Sequence, residues 1–178
     1  MSPHRALFLD RDGTLIPNVP YPRDPALVEI MEGAPAALRL ACSFGYKLVI
    51  ISNQSGVARG LIEPSEARAV QDRVEELFGV EGVRFDAAYF CFHAPDAGCR
   101  CRKPAPGMVL DAALSHGIDC TRSLFIGDKD IDVAAGAAAG CSTILLGGAP
   151  RPGPTRWLAT WADVAAFLSD VEGRRDHR

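Results

Sequence analysis

The sequence predicts an α/β protein, a Rossmann-like three-layer sandwich built on a central parallel sheet. Two patterns carry that expectation. Short apolar runs of strand length alternate with amphipathic stretches of helix length, the order that places helices on both faces of a parallel sheet. Polar, chemistry-bearing residues stand directly after several of the apolar runs, where the carboxyl ends of parallel strands gather a ligand site on one edge.

The elements follow in order. Residues 6–9 are a continuous apolar run, Ala-Leu-Phe-Leu, and read as a buried strand. Residues 34–44 follow as a helix, with Pro35 acceptable in its first turn and Gly45 as its stop. Residues 47–51 contain Val49, Ile50 and Ile51 and give a second strand. Residues 65–78 place Ala67, Val70, Val74 and Leu77 at helical spacing, with charges between them. Residues 87–92 give a third strand. Residues 107–116 give a helix opened by Pro106-Gly107 and closed by Gly117. A strand over 123–126, a small-residue helix over 131–139 ending at Gly140, and a strand over 143–146 continue the alternation. The loop Pro150-Arg151-Pro152-Gly153-Pro154 delivers a last helix over 157–168. The charged residues 171–178 read as a frayed tail, so the expected organisation is one domain over 1–170 and a tail over 171–178.

Composition narrows the function. A chain of 178 residues with 48% hydrophobic and 23% charged residues suits one domain with an ample core. A net charge of −3 argues against nucleic acid as the main partner, because phosphate-backbone binding wants a basic stripe. No apolar stretch has the length of a membrane span. The run after Met1-Ser2-Pro3-His4-Arg5 is stopped by Asp10 and does not read as a signal peptide. Of the six cysteines, three share one loop with a histidine. That pattern suits a reducing cytoplasm and a metal site better than a secreted disulfide scaffold.

The strongest chemical signal is Asp10-Arg11-Asp12-Gly13-Thr14, immediately after the first strand. Two carboxylates that close repel each other, and burial adds to the cost. A cation or a reaction justifies the arrangement. Asp10 suits a nucleophile that attacks phosphorus and forms an acyl phosphate. Asp12 suits a general acid and base. Mg²⁺ prefers oxygen ligands and leaves positions for water and phosphate, and Asp128 after Gly127 supplies a third carboxylate. Lys103, Lys129 and Ser52 are candidates to meet the phosphoryl oxygens. Singly, each has a plainer reading: a solvated Asp-x-Asp turn, a capping Ser52, a βα-turn at Gly127-Asp128, a surface Arg102-Lys103 pair. Together, in order and at strand ends, they favour chemistry.

Cys91, His93, Cys99 and Cys101 form C-x-H-x5-C-x-C in one loop. Three thiols and one imidazole complete a tetrahedral zinc set with no open position, which is a structural site. The plainer readings are a buried histidine with incidental thiols, or a disulfide. The loop runs directly into Arg102 and Lys103, so a metal here would fix those cations. Cys42, Cys120 and Cys141 read as small buried hydrophobes.

The ordered set Asp10-Arg11-Asp12-Gly13-Thr14, Ser52-Asn53-Gln54, Lys103-Pro104 and Gly127-Asp128 with Asp132 resembles the four motifs of the haloacid dehalogenase superfamily. The resemblance implies Asp10 as nucleophile and Asp12 as general acid/base. It implies Mg²⁺ on the Asp10 side chain, the Asp12 carbonyl and the Asp128 side chain, and a phosphoryl group held by Ser52 and Lys103. Members acting on carbon–halogen bonds lack the second aspartate, so Asp12 favours phosphatase chemistry. The zinc-type loop joined to Cys101-Arg102-Lys103-Pro104 is similar to two groups of the superfamily, heptose 1,7-bisphosphate 7-phosphatases and histidinol-phosphate phosphatases. Residues 52–60, with Gln54-Ser55-Gly56 and Ala58-Arg59-Gly60, are closer to the heptose group. This resemblance implies substrate contacts from the Asn18–Tyr21 loop, from Asn53, Gln54 and Ser55, from Arg102 in recognition and from Lys129 at the phosphate. Arg59 suits a second phosphate or several hydroxyls, because guanidinium binds oxygens in a fork. Ser52 stands where the heptose group often has Thr, and the proline-rich loop at 17–22 lacks some expected polar residues.

The expectation is therefore a Mg-dependent sugar-bisphosphate phosphatase with a structural zinc loop and no large cap, a cytoplasmic monomer without nucleic-acid or membrane partners. Histidinol-phosphate phosphatase is the alternative. A nucleic-acid 3′-end phosphatase and a non-catalytic binding module are further readings.

Overall fold

The structure, a computed structural model, describes residues 3–150 and 155–174. Strands β1 (Arg5–Leu9), β2 (Tyr46–Asn53), β3 (Ala87–Cys91), β4 (Leu124–Gly127), β5 (Ser142–Leu146) and β6 (Arg156–Leu158) form one sheet in the order β3-β2-β1-β4-β5-β6. Every neighbouring pair is parallel. Helices α1 (Ala34–Ser43), α2 (Pro64–Val80), α3 (Gly107–His116), α4 (Asp130–Ala138) and α5 (Trp161–Gly173) make the crossovers and the final layer.

The two-residue period of a strand sorts the core into two layers. Leu7, Leu9, Leu48 and Ile50 pack on one face with side chains of α1, α2 and α5. Ala6, Phe8, Val49, Ile51 and Phe125 pack on the other with Met108, Val109 and Ala112 of α3. Leu7, Phe8 and Leu9 are fully buried, each contributing about 2 kcal/mol of apolar transfer. The cost of ending such a strand in aspartate is met by what gathers around it.

Strand order reverses between β1 and β4, the switch point at which parallel sheets open a crevice. Asp10 leaves β1 and Asp128 leaves β4 on either side of it. The 10–13 turn is closed by backbone bonds: the Arg11 carbonyl accepts from Thr14, Leu15 and Ile16, and Gly13 donates to Ile16. Gly13 has φ +94°, and a Cβ there would collide with the Asp128 carboxylate. The indole of Trp161 at the start of α5 donates to the Thr14 carbonyl at 2.9 Å and fastens the turn from behind.

Three expectations are corrected, two about the end of the chain and one, the burial of Cys42, about α1. Trp157 does not open the last helix; it lies in β6, paired with Leu145, and its indole donates to the Gly147 carbonyl at 2.8 Å. The helix waits for Thr160, whose side chain accepts from the Asp163 N–H while its own N–H donates to the Asp163 carboxylate, a capping box. Residues 171–173 are not frayed tail: α5 runs to Gly173, and Glu172 is buried, bonded to Arg5 at 2.6 Å and to the Tyr46 hydroxyl at 2.9 Å. The remainder of the expected tail, 175–178, and residues 151–154 of the connecting loop lie outside the described residues. Cys141 is buried as expected, Cys120 is half-buried, and Cys42 is exposed on α1. No helix among the described residues is long and apolar enough to cross a membrane.

Candidate functional site

The carboxyl ends of β1, β2 and β4 bring Asp10, Ser52 and Asp128 to one edge, and the segment before α3 adds Lys103. Lys103 is 2% exposed. Its ammonium meets Asp10 at 2.6 Å, Asp132 at 2.6 Å and the Ile51 carbonyl at 2.7 Å. Burial pulls the ammonium down, but Asp10 and Asp132 outweigh it and hold Lys103 above the ordinary lysine value. The Asn53 amide fixes this lysine through its backbone, donating to the Lys103 carbonyl at 3.0 Å and accepting from its N–H at 3.1 Å. Asn53, expected to touch substrate, thus spends its side chain largely on bracing Lys103.

Asp10, Asp128 and Asp132 place carboxylate oxygens within 4.8 Å of one another. Lys103, with the more exposed Lys129 3.5 Å from Asp128, does not neutralise three carboxylates. Burial raises Asp128; Lys129 pulls against it, Asp10 and Asp132 add to it, and the carboxyl is pushed up to about 6. Asp132 is raised by burial and by Asp10, against the pull of Lys103. Asp128 Oδ1 is buried with no hydrogen-bond partner among the described residues. An all-oxygen cluster with surplus negative charge and an orphaned oxygen fits a hard cation such as Mg²⁺. Gly127 makes room for the Asp132 side chain, with which a Cβ there would collide. The Asp12 carbonyl lies 3.3 Å from the Lys129 ammonium.

The Asp12 carboxylate stands apart from this cluster. Arg11 reaches both of its oxygens at 3.0–3.3 Å, and the Gln54 amide donates to it at 2.6 Å. Arg11 and Asp132 were given no role of their own from the sequence. Arg11 is 1% exposed, an unusual place for a guanidinium, and its burial beside a carboxylate is a property of the fold alone. Asp132 carried a signal, being four residues after Asp128 at a helix start.

A cleft of about 260 Å³ opens beside Asp12, lined by Asn18, Tyr21, Asn53, Gln54, Ser55 and Lys129 among others. Arg59 reaches it through Tyr21, donating to the hydroxyl and lying 5.6 Å from the ring centre. Arg102 is half-buried with one guanidinium nitrogen unpartnered, and is not among the cleft's lining residues. A larger cavity of about 780 Å³ lies at the opposite, amino-terminal edge of β4–β6. None of the residues lining it carries a carboxylate, so chemistry and not size selects the cleft.

Cys91 ends β3, and His93, Cys99 and Cys101 complete the second cluster, their ligand atoms within 4.8 Å of one another. The thiol pairs Cys91–Cys99, Cys91–Cys101 and Cys99–Cys101 are 3.7, 3.3 and 3.4 Å apart, and His93 Nδ1 is 3.2 Å from Cys101 and 3.5 Å from Cys91. Tetrahedral zinc with bonds near 2.3 Å separates its sulfurs by about 3.7 Å, so the set fits that ion. Burial, and then the Cys101 thiol, push the Cys91 thiol up to about 12, a cost a bound cation removes. The cysteines are free thiols, not disulfides. The loop folds onto α3, where Gly107 donates to the Arg100 carbonyl at 3.0 Å with no space for a Cβ.

Comparison with known proteins gives the same picture. Residues 100–162 match the HAD-hydrolase-like family. The D-glycero-beta-D-manno-heptose-1,7-bisphosphate 7-phosphatase of Helicobacter pylori is 39% identical over 160 residues, 89% of this chain and 92% of that protein. The chain belongs to the haloacid dehalogenase-like phosphatases, in the family of that enzyme. The Rhodopseudomonas palustris protein of the same name is 41% identical over 142 residues, 76% of this chain and 79% of its own. The D,D-heptose 1,7-bisphosphate phosphatase of B. bronchiseptica, solved with magnesium and phosphate, superposes with a TM-score of 0.85 at 31% identity, over 94% of this chain and 99% of that one.

Proposed function

We propose that this phosphatase removes the 7-phosphate of D-glycero-β-D-manno-heptose 1,7-bisphosphate and leaves heptose 1-phosphate. The observation that carries the reading is the convergence of Asp10, Lys103, Asp128 and Asp132 beside Asp12, in a chain whose 39% identical relative bears that activity in its name. Asp10 attacks phosphorus, forming an acyl phosphate as the bond to the sugar oxygen breaks. Asp12 gives its proton to that oxygen and then takes one from the water that cleaves the acyl phosphate. Lys103 and Ser52 hold the phosphoryl oxygens, and Lys129 and Arg102 meet the substrate's outer charge. Asp10, the Asp12 carbonyl and Asp128 would hold Mg²⁺, whose chemistry is to spread the phosphoryl charge. Cys91, His93, Cys99 and Cys101 would hold a structural Zn²⁺. Asn18, Tyr21, Ser55 and Arg59 surround the sugar, in a site without a large cap. We place the enzyme in the cytoplasm as a monomer, one domain that includes α5 to its end.

The test is kcat/KM with Mg²⁺ on the α and β anomers of the heptose bisphosphate and on L-histidinol phosphate. A hundredfold preference for the β anomer is expected, about 2.7 kcal/mol in the transition state. A preference for histidinol phosphate would overturn the substrate and leave the catalytic assignment standing.

A further inference from the structure

We propose that Gln54 is a positioning residue that sets the proton-transfer carboxylate of Asp12 against the phosphate-binding hydroxyl of Ser52. The proposal rests on the phosphatase reading above.

Gln54 is the first residue after β2, and its N–H donates to the Cys91 carbonyl at 2.8 Å, which pins its backbone to the end of β3. Its side chain turns inward, and the residue is 5% exposed. The Nε2 group donates to Asp12 Oδ2 at 2.6 Å and to Ser52 Oγ at 2.9 Å. A primary amide has two N–H donors, and both are spent within the protein. Only Oε1 remains to meet a substrate, so direct recognition is the lesser part of what this side chain can do.

Arg11 also grips Asp12, but it is the neighbouring residue and travels with the same turn. Among the described residues, Gln54 is the side chain from outside that turn that bonds the Asp12 carboxylate. It ties a group on the β1 turn to a group on the end of β2. The reaction needs that tie, because Asp12 must face the leaving oxygen while Ser52 faces the oxygens that stay on phosphorus. Misplacing a reacting group by about 1 Å costs on the order of a hundredfold in rate.

Leaving-group chemistry separates this role from a merely structural one. A sugar alkoxide needs a proton as it departs; p-nitrophenolate does not. Gln54→Met keeps length and removes both donors. The readout is kcat/KM, which covers the steps up to departure of the leaving group and leaves out the acyl-phosphate hydrolysis that Asp12 also serves on both substrates. On the heptose bisphosphate, or on whichever alkyl phosphate the wild type turns over best, kcat/KM should fall about thirtyfold further than on p-nitrophenyl phosphate. Loosening of Ser52 acts on both substrates alike and cancels in that ratio. Gln54→Leu, which also lacks the donors and adds no charge beside Asp12, serves if the methionine variant does not fold. Equal losses on the two substrates, or full alkyl activity, would overturn the proposal. Asp10→Asn is the separate control. If p-nitrophenyl phosphate is still hydrolysed by that variant, the nucleophile reading fails, whatever Gln54 does.

Discussion

The two clusters suited to metals differ in how they bear their own charge. The Asp10–Asp128–Asp132 cluster sits on two strand ends and the first turn of α4, and it carries an internal cation, because Lys103 is buried with it. The cysteine–histidine cluster has no such buried cation among the described residues. Its residues come from the end of β3 and the loop beyond, and three of the four are half-exposed or exposed. The first is held by the sheet and is only partly neutral without a divalent ion. The second stands on a loop tied to α3 by the Gly107–Arg100 backbone bond and by the Arg100–Asp111 ion pair at 2.8 Å, and its ligand atoms rely on an ion for their counter-charge. Catalytic charge is therefore built into the core, while the loop that leads to Lys103 is free to depend on a metal.

Removing the internal cation breaks the comparison most severely. Lys103→Met leaves Asp10 and Asp132 facing each other across a buried gap. It should destabilise the metal-free protein by about 3 kcal/mol and cut kcat/KM about a thousandfold. Added Mg²⁺ should recover part of the stability and little of the activity. A melt and a rate measurement with and without Mg²⁺ decide it; an unchanged melting temperature would mean that the carboxylates need no lysine.

Stripping the loop cluster should act more gently. With zinc removed and its absence verified, KM should rise about tenfold while kcat stays within threefold, because the loop positions Arg102 and Lys103 without taking part in bond breaking. Unchanged kinetics would detach the loop from substrate binding altogether.

The smallest effect is one of pH. Asp128 is raised in the folded, metal-free protein from 3.8 to about 6, so the folded state holds more protons than the unfolded state between those values. Stability from this group is present below about pH 4 and is lost as pH rises through about 6. Asp132, raised as well, acts in the same direction. The metal-free melting temperature should carry a downward contribution of a few degrees over that window, and Mg²⁺ should stabilise more strongly above it. A carboxamide in place of Asp128 should remove most of the contribution.

Most of the sheet is legible because its strands are buried on both faces and end in residues that make sense only at a strand end. Asp10, Ser52 and Asp128 follow from that logic, as does the thiol loop from its spacing. What is not legible depends on contacts between residues distant in the chain. The three residues of β6 are too few for a period to register, and Trp157-Leu158 reads equally well as the start of a helix. Glu172 looks like tail because Arg5 and Tyr46, which bury it, are 167 and 126 positions away. The grip of Gln54 on Asp12 crosses 42 positions. No rule of spacing announces it, so its residue type suggests substrate contact instead.

The central position of β1 has a consequence for synthesis. This strand pairs with β2 on one side and with β4 on the other, yet β4 is made more than a hundred residues later. A ribosome that has released the chain only as far as Cys91 has released β3, β2 and β1 with one flank of β1 open, the apolar run Leu7-Phe8-Leu9 along it. That flank is a template for pairing with another nascent chain. Asp10 stands at its end, a charge that discourages a neighbouring copy from stacking in register until β4 arrives to close the gap.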